Sequence, residues 1–281
     1  MKTRKSKFPG RHISQIAVRY HRDRPSRFYK TGIEALDEYT GGLPSGEMTL
    51  IAARPGVGKT ALVMQIMEYI GEHHKEPSGI FSVEMSGRSL VTRMILARTT
   101  LPSIALRKGE LTQRQLKERD RALEEIGKLP IYIDDSSINT IPHIENAVAA
   151  WVKHGIKVLG LDYVQLLSPG GGDASDTRAS FIGSCARTMK RLAKDMDVPF
   201  IVLAQLNRES SKGRRPPTIA DLKESGDLEQ VADNIILLNP DQDNPPAVDF
   251  LLAKWRNGPT GIISCDFDGA RGHFASLSNE E

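Results

Sequence analysis

Continuous apolar runs alternating with helix-length segments predict an α/β fold, a mostly parallel twisted sheet with helices on both faces. Two observations carry this. The runs at 48–52, 79–83, 131–133, 157–161 and 200–204 are apolar at nearly every position, Thr49, Ser82 and Lys157 apart, instead of alternating with polar residues. A strand with one wet face alternates, whereas one buried on both faces does not. The second observation is order: helical stretches, to about residue 71, through 98, at 140–154 and at 180–196, follow these runs in turn. That is the rhythm of strand–helix–strand crossovers.

Element by element, strand 48–52 feeds a glycine-rich loop and then a helix. Strand 79–83 precedes another helix, and a polar helix spans 112–126. Strand 157–161 ends at Asp162, and a Gly/Ser/Asp-rich loop at 168–177 leads to the 180–196 helix. A basic loop at 207–217 follows strand 200–204, and strand-like runs return at 234–238, 248–254 and 261–267. No internal repeat and no long linker divides the chain, so residues 31–281 read as one domain.

Residues 1–30 read as a basic arm with a short helix. Of the 281 residues, 38 are Lys or Arg and 35 are Asp or Glu, a net charge of +3. The arm alone holds ten Lys or Arg against Asp23, so the remainder is mildly acidic. Such asymmetry suits a polyanion or an acidic neighbouring subunit as partner, or else a solvated tail. Ile13, Ile16, Ala17 and Tyr20 form one apolar stripe, too short for a stable isolated helix. No run approaches the roughly 18 apolar residues of a membrane span. The basic start lacks the apolar core of a secretion signal. Cys185 and Cys265 lie far apart without metal-ligand spacing, so a reducing cytoplasm is the expected setting.

The chemistry gathers at the carboxyl ends of the strands, where open α/β sheets bind ligands. Ala53, Arg54, Pro55, Gly56, Val57, Gly58, Lys59 and Thr60 sit between a strand and a helix. In that context the run is a phosphate-binding loop, with Ala53 where the general pattern has its first glycine. Its backbone N–H groups would cradle phosphate, Lys59 would neutralise the β/γ-phosphates, and Thr60 would meet Mg²⁺. ATP and Mg²⁺ are therefore the expected cofactors. Asp162 ends an apolar strand expected beside the loop strand, where it would serve the metal shell. Glu84 ends another, a candidate to orient or deprotonate water; alone, such a residue is more often a surface acid. Gln205 places an amide at the same edge. Lys254 and Arg256 flank Trp255, and strand periodicity puts both cations on one face. They are an arginine-finger pair for a neighbour's phosphate, or ordinary charges on an edge strand.

Several motifs in order resemble the bacterial replicative DNA helicase family of DnaB type, with its RecA-like core. They include Thr31-Gly32-Ile33 with Leu36-Asp37, Gly41-Gly42-Leu43, the loop ending in Thr60, and Ser82-Val83-Glu84-Met85-Ser86. Asp162-Tyr163-Val164-Gln165-Leu166, Gln205-Leu206-Asn207-Arg208, Glu224-Ser225-Gly226 with Glu229-Gln230 and Ala232-Asp233, and the run from Lys254 to Gly258 continue the series. The resemblance implies a ring-shaped homohexamer that hydrolyses ATP at subunit interfaces and translocates on single-stranded DNA. It implies Glu84 as the water-activating base, Arg93 near the γ-phosphate, Gln205 as sensor, and Lys254 and Arg256 reaching into a neighbour's site. For DNA it implies Lys223, Glu224 and Gly226; most members carry arginine where Lys223 stands. An acidic position of the family pattern is Phe181 here. The family's helical N-terminal collar, which recruits primase, is not matched, so a collar-less form without primase recruitment is expected. The stripe at 12–20 would act as the linker helix.

Arg208, Lys212, Arg214 and Arg215 add charge around one glutamate, Glu209, and lack interleaved aromatics. That pattern tracks phosphates without reading or stacking bases. Two alternatives remain open: a RecA/RadA-like recombinase forming filaments, and a non-motor, ATP-gated scaffold or loader of a helicase.

Overall fold

The computed structural model describes residues 13–14, 27–169, 177–207, 215–222, 226–241 and 243–277. The short ribbon of β1 (Phe28–Tyr29) and β2 (Leu43–Pro44) brackets α1 (Glu34–Thr40). Then come β3 (Met48–Ala53) and α2 (Lys59–Tyr69), which a π-helical turn extends over Ile70–His74. They are followed by β4 (Ser78–Ser82), α3 (Gly87–Arg98), α4 (Ser103–Lys108), α5 (Gln113–Ile126), β5 (Ile131–Asp134) and α6 (Ile141–Lys153). The chain continues through β6 (Val158–Asp162), α7 (Arg178–Met196), β7 (Phe200–Gln205) and α8 (Gly226–Val231). It closes with β8 (Asn234–Pro240), β9 (Ala247–Trp255), β10 (Gly261–Asp268) and β11 (His273–Ser276).

The main sheet has nine strands in the order β11-β10-β9-β8-β3-β7-β6-β4-β5. The block from β8 to β5 is parallel, and β9, β10 and β11 extend it antiparallel. This is the mixed arrangement common in large α/β sheets. The predicted mostly parallel sheet with helices on both faces is the observed one.

Why the central strands are apolar on both faces is visible in their alternation. Ile51 and Ala53, with Leu203 and Ile236, pack into one core with α2, α3 and α5. Leu50 and Ala52, with Val202 and Leu237, pack into the other with α6 and α7. Each strand thus supplies both cores at period two. Gly160 on β6 permits close packing: an added Cβ would lie 2.6 Å from Met67 Cε on α2.

Each core also holds one cysteine. Cys185 and Cys265 are both fully buried, and burial pushes each thiol up to about 12. Neither should react with a disulfide reagent at pH 8 in the native state, and both should react in denaturant. Rapid native labelling of either would contradict this packing.

The elements with strong periodicity were all legible, with ends shifted by a few residues. The elements without such a signal are short: β1, β2, α1, α4, α8 and β11. A single turn or two of helix carries too few apolar positions to show a stripe. Of the predicted helix at 12–20 only residues 13–14 are described, and they are helical; the rest of it and most of the basic arm lie outside the described residues.

Candidate active site

The phosphate loop follows β3 and enters α2 through Gly58, whose φ of 98° is in the left-handed region. A side chain there would be strained, and its Cβ would meet Phe267 Cζ at 2.7 Å. Gly56 also has a positive φ, 81°. Among the described residues no side chain caps the start of α2. Its first N–H groups are thus the open, positively polarised end that suits an anion.

A cleft of about 1180 Å³ opens over this loop, and Gly56, Lys59, Thr60, Glu84, Arg93 and Gln205 all line it. Asp162, only 1% exposed, lies behind the cleft-lining Thr60. Thr60 Oγ1 donates to Asp162 Oδ2 at 2.7 Å, while Asp162 Oδ1 is buried with no hydrogen-bond partner among the described residues. Burial raises the Asp162 carboxyl above its usual range, opposed by the Thr60 bond and Lys59, with Glu84 adding to the rise. Lys59 donates to the carbonyls of Ala53 at 3.2 Å and Arg54 at 3.5 Å. Burial lowers its ammonium, while Asp162 and Glu84 pull it back up. Lys59, Thr60, Glu84, Arg93 and Asp162 therefore share one electrostatic field.

An orphaned carboxylate oxygen beside a threonine hydroxyl fits a hard, oxygen-seeking divalent cation such as Mg²⁺. Among the described residues no group of three or more His, Cys, Asp or Glu forms a metal cage.

One expectation is corrected. The strand of Asp162 is not beside the loop strand: β7 lies between β3 and β6, so it is Gln205 whose strand pairs with β3. Asp162 still reaches Thr60 because Thr60 is on α2, and α2 packs across β7 and β6. Gln205 itself is held in place by Gln165. The Gln165 amide accepts from Gln205 N at 3.1 Å and donates to Gln205 O at 3.2 Å. Arg178 in turn donates to the carbonyls of Gln165 and Leu167, and its guanidinium lies over the Phe181 ring. The sequence reading assigned no role to Gln165; its position three residues after Asp162 was the available signal. The cleft wall formed by the β10–β11 turn, including Arg271 and His273, was missed together with β11.

Lys254 and Arg256 stand elsewhere. Trp255 is level with Asn234, and Asn234 with Thr49, at the opposite edge of the sheet from the phosphate loop. From Thr49 to Ala53 the strand alone covers about 13 Å, with the loop still to come. Both cations face away from Trp255, as strand alternation predicted, but each has a partner in its own chain. Lys254 Nζ donates to Glu229 O at 2.7 Å, and Arg256 Nη1 to Asp233 Oδ1 at 2.8 Å.

Of the basic-loop residues, Arg208, Lys212, Arg214, Lys223 and Glu224 lie outside the described residues. Arg215 forms a fork with Asp221, at 2.7 and 2.6 Å, which holds that carboxyl down at about 2. Gly226 begins α8.

A strand–loop–helix phosphate site at the carboxyl edge of a mostly parallel sheet defines the class, a RecA-like P-loop fold. The family model of the DnaB-like helicase C-terminal domain matches residues 29–276, and the chain belongs to that family. It is 34% identical over 274 residues to the replicative DNA helicase DnaB of Leifsonia xyli subsp. xyli, covering 95% of this chain and 60% of that one. To the DnaB of Geobacillus stearothermophilus it is 32% identical over 271 residues, covering 93% and 59%. The chain thus spans about three-fifths of these curated relatives. Among solved structures, one ATPase domain superposes with a TM-score of 0.86 at 27% identity, covering 95% of this chain and 99% of that one. A DnaB-like replicative helicase studied with primase gives 0.84 at 26%, covering 96% and 68%. No helix of the described residues is long and apolar enough to cross a membrane.

Proposed function

We propose that this chain is the motor of a replicative-type DNA helicase, a ring-shaped homohexamer that hydrolyses ATP between subunits and translocates on single-stranded DNA. Residues 31–281 are the motor and residues 1–30 a basic arm. The observation that carries this reading is the split of charged groups between opposite edges of one sheet. Lys59, Thr60, Glu84 and Asp162 converge at one edge, whereas Lys254 and Arg256 lie at the other and cannot reach the same phosphate. A head-to-tail ring closes that gap by placing one subunit's far edge against the next subunit's loop.

In this assignment the loop from Ala53 to Thr60 binds the ATP phosphates and Lys59 neutralises them. Thr60 and Asp162 hold Mg²⁺, which when bound neutralises phosphate charge. Glu84 orients and deprotonates water, a role worth on the order of 10²–10⁴-fold in general-base catalysis. Arg93 and Gln205 face the γ-phosphate, and Gln205 passes its occupancy to the loop that follows.

The test is unwinding of a forked DNA duplex with ATP, with imaging of the particles on single-stranded DNA. Closed rings and strand separation are expected. DNA-independent turnover without unwinding, or open filaments, would overturn the helicase reading while leaving the ATPase one standing.

DNA contact is assigned to Arg208, Lys212, Arg214 and Lys223, flanked by Glu224 and Gly226. Arg215 contributes little charge because Asp221 neutralises it. With four phosphates neutralised, log affinity should fall against log salt with a slope of about −3. Binding titrations on homopolymers at several salt concentrations measure this; a flat response would remove the phosphate-tracking model.

A further inference from the structure

Asp233 is fully buried, yet it carries a carboxylate that neither the phosphate loop nor its metal residues use. It sits between α8 and β8 and accepts from three directions. Met48 N, the first amide of the phosphate-loop strand, donates to Oδ2 at 2.9 Å. Lys190 Nζ on α7 donates to the same oxygen. Arg256 Nη1 donates to Oδ1 at 2.8 Å. The next residue grips Arg256 as well: Asn234 Oδ1 accepts from Arg256 N at 3.2 Å. Asn234 Nδ2 is itself tied to Glu47 Oε2 at 3.0 Å and Thr49 Oγ1 at 3.3 Å. Asn257 Nδ2 reaches Glu47 Oε1 at 2.6 Å.

Arg256 is therefore anchored at both its backbone and one nitrogen of its fork. Its side chain nevertheless remains 62% exposed at the surface of the subunit. An arginine side chain ordinarily loses considerable rotamer freedom when it meets a ligand, which weakens the contact. Here part of that ordering is already done. The guanidinium presents several donors, so one nitrogen can stay on a carboxylate while others meet a phosphate.

We propose that Asp233 is a positioning residue that holds Arg256 pre-oriented toward the nucleotide of the adjacent subunit and fixes it to the start of its own chain's phosphate-loop strand. The inference rests on the reading of Arg256 as a residue acting in trans. Asp233 touches no nucleotide; it acts through Arg256 alone. Its location also gives the segment 205–233 two ends with different neighbours. Gln205 faces the chain's own cleft, and Asp233 holds the group aimed at the next one. The candidate DNA loops lie between them. Lys254, on the carbonyls of Glu229 and Gln230, fastens the end of α8 beside this junction.

The experiment is a double-mutant cycle on DNA-stimulated ATP turnover, with Asp233→Asn, Arg256→Ala and the pair. Asp233→Asn keeps the shape and removes the charge. It should lower kcat on the order of 10²-fold, the cost of a misplaced catalytic group, with little change in KM. In the Arg256→Ala background it should cost nothing further. Lys190→Gln removes the other cation from the same carboxylate and should lower the melting temperature while leaving kcat near wild type. If Arg256→Ala leaves turnover unchanged, the reading of Arg256 in trans fails. If Arg256→Ala slows turnover and Asp233→Asn does not, or the two effects multiply, only the Asp233 proposal fails. Should Asp233→Asn fold poorly, Arg256→Lys tests the same geometry. A lysine cannot hold carboxylate and phosphate through one rigid fork. It should fall toward the Arg256→Ala rate, and a wild-type rate for Arg256→Lys overturns the proposal.

Discussion

Lys59→Ala should reduce ATP turnover by on the order of 10²–10³-fold while leaving the protein at least as stable to heat. The first effect is the loss of a preorganised cation aimed at the developing phosphate charge in a partly dehydrated cleft. The second follows from the free protein. Among the described residues the ammonium donates to two backbone carbonyls, at 3.2 and 3.5 Å, and burial lowers its pKa. A lowered pKa means that the folded state disfavours the charged lysine, so deleting it relieves a cost. The sign is specific: as the pH drops from 10.5 to the lowered folded-state value, the unfolded chain takes up the proton first and stability attributable to this group falls. Below that window the cost is constant. Phosphate release at saturating ATP and a thermal melt without nucleotide together check the pair. Turnover above a tenth of wild type would remove Lys59 from the phosphate site. A large drop in melting temperature would instead make it a structural residue. Glu84→Gln is a useful companion, since Glu84 is exposed in the cleft and its loss should spare nucleotide binding.

Much of this site was legible because its residues are read locally. The loop from Gly56 to Thr60 declares itself by glycines before a Lys-Thr pair between a strand and a helix, and Asp162 and Glu84 by acids at the ends of apolar runs. What could not be read is which strand lies next to which. Strand order depends on how crossovers pass over the sheet, and that is not encoded in any single run. The expectation that Asp162 adjoins the loop strand failed for this reason, with β7 intervening. Gln165 was invisible as a support because its partner is the backbone of Gln205, forty residues away in sequence. The pair at Lys254 and Arg256 shows the same limit. Alternation around Trp255 gave their shared face, but not Asp233, which only the antiparallel pairing of β8 and β9 brings near. Short α8 carried no stripe to announce it, yet it supplies the carbonyls that hold Lys254.

Arg256→Ala should slow turnover by about 10³-fold or more, the worth of an arginine finger supplied in trans. Mixing identifies where the arginine acts. A ring of Lys59→Ala subunits has intact arginines and no working loop; a ring of Arg256→Ala subunits has the reverse. Each alone should be nearly inactive. In a ring assembled from equal parts of both, about one interface in four joins an intact loop to an intact neighbouring arginine, given a head-to-tail arrangement. Turnover should therefore recover toward about a quarter of wild type. No cis mechanism gives this result, because no single chain in the mixture holds both groups. The structure makes the cis case hard on distance as well. Arg256 follows Trp255, level with Thr49, while the loop begins only after Ala53 at the far end of the same strand. Its fork is already turned to Asp233, away from the cleft. Mixed rings that stay inactive would return Arg256 to the status of an ordinary surface charge paired with a buried acid. They would leave the ATP site one-sided, and the case for hydrolysis between subunits would then have to be rebuilt on other residues.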